Sequence, residues 1–171
     1  MSDTPEFSRI LDIRHLDEKP VELTATIEEC KALAKRFHLV SIGHLRASVT
    51  IARDGAIIRA KGTLSSDLVQ SCAISAEDLP QRIREKLDLR FVPESGVDGG
   101  PDEEIELSEE DCDDIPYEGE RFDLGEAVAQ SLALSIDPFA EGPEAAKVRA
   151  AGLLGQENLS PFAALEALKK K

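Results

Sequence analysis

The chain has no tryptophan, one tyrosine and six phenylalanines, so aromatic residues fill only 4% of its 171 positions. A core built from it must rest on Leu, Ile, Val and Ala. No run approaches the roughly 20 apolar residues that a membrane-crossing helix needs, so no span is expected. Residues 1–8 are polar with acidic groups and lack both the basic start and the apolar run of a secretory signal, which points to the cytosol. Cysteine is scarce too. Cys30, Cys72 and Cys112 lie about forty residues apart, with no CxxC pair and no nearby histidine to complete a zinc set. Free thiols in a reducing compartment are expected, each a small buried or half-buried side chain, and no metal site and no cofactor.

The chemistry-bearing motifs are missing as well. There is no P-loop and no GxGxxG after a strand, and Gly99-Gly100 falls in an acidic run where a phosphate would meet no positive pole. Pairing one of three cysteines with one of three histidines has no specificity. Asp111, Asp113 and Asp114 lack the glycine spacing of a calcium loop. No catalytic residues emerge, and the chain reads as non-enzymatic. His38 and His44 read as exposed boundary residues.

What is abundant is negative charge, and it is unevenly placed. The net charge is −14, yet residues 1–90 hold 14 basic and 14 acidic side chains, so the whole excess lies in 91–171. The second half would repel bare nucleic acid and suits a basic protein partner. Residues 94–120 hold 13 acidic residues and no Lys or Arg, which predicts a long mobile acidic loop, with a strand possible at E-I-E-L, 104–107.

Hydrophobic spacing supplies the elements. The runs 7–13 and 21–27 alternate like strands. Thr26 and Glu29 form a capping box opening a helix to about His38, with Ile27, Cys30, Leu33, Ala34 and Phe37 on one face. From Leu45 an alternating run turns at Arg53-Asp54-Gly55 and returns, a strong hairpin signal that buries Leu45, Ala47, Val49 and Ile51. Gly62 suggests a bulge or bend into a third antiparallel strand at 68–74. Leu79, Ile83 and Leu87, at four-residue intervals behind Pro80, predict a short helix whose outer face presents Arg82, Arg84 and Lys86. A fourth strand, 87–92, follows. Asp123 reads as an N-cap, with Glu126 completing a second capping box. Leu124, Val128, Leu132 and Ile136 mark the face of that helix, which stops before Pro138. Residues 140–158 read as weak helix and linker, and 160–169 as a final helix capped by Ser160 with Pro161 at its first position. Arg82, Arg84, Lys86 and Arg90 are the candidate contacts to an RNA or a protein partner, although aromatic stacking partners are absent apart from Phe91.

Three stretches together resemble the YceD family, bacterial and plastid proteins associated with accumulation of the large ribosomal RNA. The first, 62–94, carries Gly62, Gln70, Cys72 and F-V-P; the second is Asp123-Leu124-Gly125-Glu126 with the apolar run ending at Pro138; the third is the P-F-x-x-L ending at Pro161 and Phe162. The N-terminal F-S-R and the A-T-I-E-E-C helix are similar to the alphaproteobacterial branch. Where many relatives carry further cysteines, this chain has Ser75 and Asp137-Pro138-Phe139, so the resemblance implies no metal here.

We therefore expect a single domain over 1–171 of the α+β class: an antiparallel, barrel-like sheet with helices packed on it and the 94–120 acidic loop outside. The resemblance implies an accessory factor in ribosome biogenesis that promotes accumulation of large-subunit (23S) ribosomal RNA. Its expected partners are a ribosomal protein or pre-ribosomal particle, and 23S rRNA itself, with no DNA and no membrane. An acidic scaffold or chaperone for one basic protein, and a hydrolase, are the competing classes. The first predicts a binary complex without RNA, and the second a concave pocket with convergent polar groups.

Overall fold

The centre of the fold follows from one turn. Gly55 adopts φ +62° at the first of the two loop residues joining β3 (Ser41–Asp54) to β4 (Ile57–Ser71). Glycine takes that backbone conformation without strain, and the turn matches the twist of the strands it joins. The hairpin then zips from Asp54↔Ile57 to Ser41↔Val69, with a register shift between Ile42 and His44. The computed structural model describes residues 5–16, 19–94 and 114–151. They fall into two compact units, one within Met1–Gln70 and Pro80–Asp137 and one within Ser71–Leu79 and Pro138–Lys171.

In the larger unit, β2 (Val21–Thr24) lines up antiparallel on β3, and the sheet continues in the order β2-β3-β4-β5-β6 with β5 (Asp78–Pro93) and β6 (Asp114–Tyr117). β6 runs parallel to β5, pairing Arg90↔Asp114 through Pro93↔Tyr117. A separate two-stranded ribbon joins β1 (Ile10–Asp12) to β7 (Arg121–Asp123). The mixed α+β class is as expected, but the barrel is not. The five strands stay open, ending in edges of only four residues each at β2 and β6. Helices cover one face of the sheet, so the core is sealed without closing the strands on themselves.

Between β2 and β3, α1 (Ile27–Arg36) begins at the predicted capping box: Thr26 Oγ1 accepts from Glu29 N and the Glu29 carboxylate accepts from Thr26 N. Its Cys30, Leu33 and Ala34 are buried. After β7, α2 (Leu124–Leu134) buries Leu124, Ala127, Val128, Ala129 and Leu132. Both helices share one core with Leu45, Ala47, Val49 and Ile51 of β3, Ile58, Ala60, Leu64 and Leu68 of β4, and Leu87 and Phe91 of β5. Phe91 and Phe122 meet with ring centroids 4.5 Å apart.

Three predicted elements dissolve into longer strands. Of the third strand expected at 68–74, residues 68–71 are the end of β4, which passes Gly62 without a break, and 72–74 enter the turn that follows it. There β4 crosses β3 so closely that a Cβ on Gly62 would lie 2.0 Å from the Ser48 carbonyl oxygen. The glycine therefore serves approach rather than bending, and the irregularity sits at Ile42/His44 instead. The helix at 79–87 and the strand at 87–92 are together one strand, β5. A spacing of four is a multiple of the strand period of two as well as close to one helical turn. Leu79, Ile83, Leu87, Leu89 and Phe91 are all odd-numbered, and Pro80 sits near a strand start, where a missing N–H is tolerated.

The smaller unit brings the turn after β4 onto α3 (Ala145–Ala150) and the segment before it. Ala73 N donates to Ala140 O at 3.0 Å, and Glu77 Oε1 accepts from Glu144 N at 2.8 Å. This gives part of 140–158 a defined structure, and the acidic loop expected over 94–120 gives way to β6 at Asp114–Tyr117, where pairing with β5 and burial of Tyr117 outweigh the run of acidic residues; 95–113, with the strand expected at 104–107, and the predicted helix 160–169 lie outside the described residues.

Candidate functional site

Because β5 is a strand, Arg82, Arg84, Lys86 and Arg90 take alternate positions along it and share one face. Two ion pairs identify that face. Arg82 Nε meets Asp67 Oδ1 at 3.0 Å, and Asp88 Oδ2 meets Lys61 Nζ at 2.8 Å. The two pairs are six positions apart on each strand, which fixes an antiparallel alignment with even-numbered β5 residues beside odd-numbered β4 residues. This is the face turned away from the core, since β4 buries its even positions: Ile58, Ala60, Leu64, Ser66 and Leu68.

The register carries the pattern outward. Arg46 lies opposite Ser65, Ser48 opposite Thr63, Thr50 opposite Lys61 and Ala52 opposite Arg59, while Glu22 and Thr24 of β2 face Ser48 and Arg46. The outer face thus gathers cations from three strands: Arg46 from β3, Arg59 and Lys61 from β4, and the β5 set. Some are already answered by carboxylates. Besides the two pairs above, Arg90 Nη1 lies 3.1 Å from Asp114 Oδ1 and is partly covered. His44 Nδ1 is 3.4 Å from Asp67, and this histidine stands inside β3, half-buried, rather than at an element boundary; His38 is the exposed boundary residue, with φ +56°. Among the described residues, Arg46, Arg59, Arg84 and Lys86 are exposed and make no ion pair.

The sequence pattern points to the β5 cations but puts Arg82, Arg84 and Lys86 on a helix, and it does not join Arg46, Arg59 and Lys61 to them. The alternation that points Arg46, Ser48 and Thr50 outward was visible; the cross-strand neighbours were not. The strands of this face bring no phenylalanine, tyrosine or tryptophan ring to it: β3, β4 and β5 carry only Phe91, which is buried in the core. A cleft of about 390 Å³ at the far end of the sheet is lined by residues including Ser41, Asp67, Gln81 and Arg82, and its two charged groups are bonded to each other.

Of the residues that carry the family resemblance, Gln70, Asp123, Leu124 and Gly125 hold the fold together. Asp123 caps α2 by accepting from Glu126 N at 3.0 Å, and it also accepts from Arg9 N at 2.7 Å and Ser8 Oγ at 2.5 Å, so one carboxylate ties the N-terminal segment to the helix. Glu126 does not close a capping box. Its carboxylate accepts from Arg36 at 2.7 and 2.9 Å, and this guanidinium holds it below the usual carboxylate range. Leu124 is fully buried, and a Cβ on Gly125 would lie 2.4 Å from the Phe7 carbonyl oxygen. Buried Gln70 donates to the Asp137 carbonyl at 2.8 Å. Pro138 is exposed, and Pro161 and Phe162 lie outside the described residues, as do Asp111, Cys112 and Asp113.

The two described cysteines are buried in opposite environments. Burial pushes the Cys30 thiol up. Cys72 Sγ, at the turn after β4, accepts from Ile74 N at 3.4 Å, Ser75 N at 3.3 Å and Gly142 N at 3.3 Å. Contact with the Ser75 side chain, then these N–H groups, lowers its thiol to about 7 against the opposing pull of burial.

No helix among the described residues is long and apolar enough to cross a membrane. Compared with protein families, residues 60–169 match the model described as large ribosomal RNA subunit accumulation protein YceD. The match takes in β4 from Ala60 onward and everything through α3, and it leaves β1, β2, α1 and β3 outside. No curated protein and no solved structure matches the chain.

Proposed function

The chain belongs to the YceD family, and from that membership we propose that it is a non-enzymatic accessory factor that promotes accumulation of large-subunit (23S) ribosomal RNA by direct contact with the pre-ribosomal particle in the cytosol. The family's name supplies the role in large-subunit RNA; the outer sheet face supplies the means. The observation that carries this reading is the placement of Arg82, Arg84, Lys86 and Arg90 on one strand face of a chain whose net charge is −14. Cations gathered on one surface of an anionic protein provide a local attraction for phosphate that the net charge does not cancel at short range, because exposed charges beyond about 10 Å are screened at cellular salt.

The acidic second half suits a different contact, a basic ribosomal protein, which exchanges its counterions for carboxylates. A particle that holds both RNA and basic proteins offers both surfaces at once. The test is a deletion strain analysed on sucrose gradients. Free large subunits and their RNA should fall relative to small subunits, and charge reversal at Arg84 and Lys86 should reproduce part of that loss. Normal large-subunit RNA in the deletion strain would overturn the reading. If the tagged protein recovers a basic protein from ribonuclease-treated lysate as well as from untreated lysate, the scaffold reading gains over RNA contact.

A further inference from the structure

We propose that the outer face of the β3-β4-β5 sheet is a platform for double-stranded RNA, recognised by the spacing of its phosphates and its 2′-hydroxyls rather than by its bases. This deepens the RNA contact proposed above and rests on that reading. The register fixes the layout. Arg46, Ser65 and Arg84 form one row across the three strands, and Ser48, Thr63 and Lys86 the next, with Lys61 and Asp88 in the row beyond and Arg59 past it. Neighbouring strands lie about 4.8 Å apart and alternate residues about 6.8 Å. Arg46 and Arg84 therefore stand about 10 Å apart with the Ser65 hydroxyl between them.

Three features select the ligand. The four cations without an ion pair, Arg46, Arg59, Arg84 and Lys86, call for a polyanion. Single-stranded RNA is gripped by stacking its bases on aromatic rings, and the three strands that make this face carry no tyrosine or tryptophan and one phenylalanine, Phe91, which is buried in the core. Between the cations, the Thr63 and Ser65 side-chain hydroxyls have no hydrogen-bond partner among the described residues, whereas Ser48 donates its own to Glu22. Free hydroxyls framed by cations fit a surface of alternating phosphates and 2′-hydroxyls, which an A-form helix displays across its wide minor groove. A second copy seated with the same face on this one would set these cations against one another.

The experiment is fluorescence anisotropy with the full chain and three probes of one sequence: a blunt RNA duplex, the matching DNA duplex and the single RNA strand. The RNA duplex should bind tightest, and its affinity should fall with salt at a slope of roughly −3 to −4, as four phosphate contacts require. The double variant Arg46→Glu/Arg84→Glu should weaken duplex binding at least about tenfold and lower the slope by about two. Its thermal melt should match the wild type, and Lys86→Glu alone should give a smaller loss in the same direction. Thr63→Ala/Ser65→Ala should reduce the preference for RNA over DNA while leaving DNA binding unchanged. Equal or tighter binding of the single strand, indifference to charge reversal, or no duplex binding at low salt would each overturn the platform. If the protein still recovers pre-ribosomal particles while duplex binding is absent, the platform alone fails; if it recovers none and the deletion strain is normal, the proposed function fails with it.

Discussion

The two faces of the β2 to β6 sheet are made by the same strands under opposite demands. On the inner face Leu45, Val49, Ile58, Leu64 and Phe91 are buried against α1 and α2, each removed from water and in contact with several others. On the outer face Arg46, Arg59, Lys61, Arg84 and Lys86 stand in solvent. Burying a large apolar side chain stabilises by about 1.5–3 kcal/mol, whereas an exposed ion pair contributes about 0–1 kcal/mol. The inner face therefore determines whether the chain folds. The outer face is left free to vary in charge, and its charge pattern is available for recognition.

This contrast can be broken from either side. Phe91→Ala should carry the largest effect, a loss of about 3–5 kcal/mol seen in urea denaturation, because the ring is fully buried and packs at a tilt against Phe122. Gly62→Ala comes next, at about 1–3 kcal/mol, since the added Cβ meets the Ser48 backbone and neither strand can yield without disturbing the hairpin. Ser66 is the polar exception on the inner face, fully buried and donating to the His44 carbonyl at 2.8 Å beside the register shift. Ser66→Ala should cost about 1 kcal/mol and increase amide exchange around His44. Arg84→Ala on the outer face should change stability by no more than about 0.5 kcal/mol; a loss comparable to that of Phe91→Ala would end the division of labour.

The smallest effect sharpens the same contrast in a pair of thiols. In an ultraviolet titration of thiolate on a Cys112→Ser background, Cys72 should ionise with a midpoint near 7 and Cys30 only above the ordinary range. The folded state lowers the Cys72 value, so its contribution to stability is complete above the unfolded thiol's pKa and is lost as pH falls through about 7. A Cys72→Ala variant should remove that pH dependence, and equal midpoints for the two thiols would rule out the hydrogen-bonded arrangement around Sγ.

Much of the architecture could be read locally. The Thr26/Glu29 box, the Asp123 cap and the hairpin at Gly55 each depend on a few adjacent residues, and each forms where expected. Reading failed where two periods coincide. Between Leu79 and Leu87 the apolar residues recur every four positions, which a helix and a strand both satisfy, and the first half of β5 is largely exposed on both faces, so burial alternation does not separate the cases. The candidate site suffered the same fate. Its β5 cations were legible as a cluster, but Arg46 and Arg59 lie far away in the chain and become their neighbours only through strand register.

Composition and spacing alone determined the mixed class, the starts of α1 and α2, the inward residues of β3 and the concentration of negative charge after residue 90, because each is a property of short stretches of chain. Only the tertiary structure decided that the sheet stays open, that β5 is a strand, that the Glu126 carboxylate goes to Arg36, and that cations from three strands share one surface. Those outcomes depend on which distant segments lie side by side, and pairing between strands is set by the summed packing of the whole core rather than by any residue's own preference.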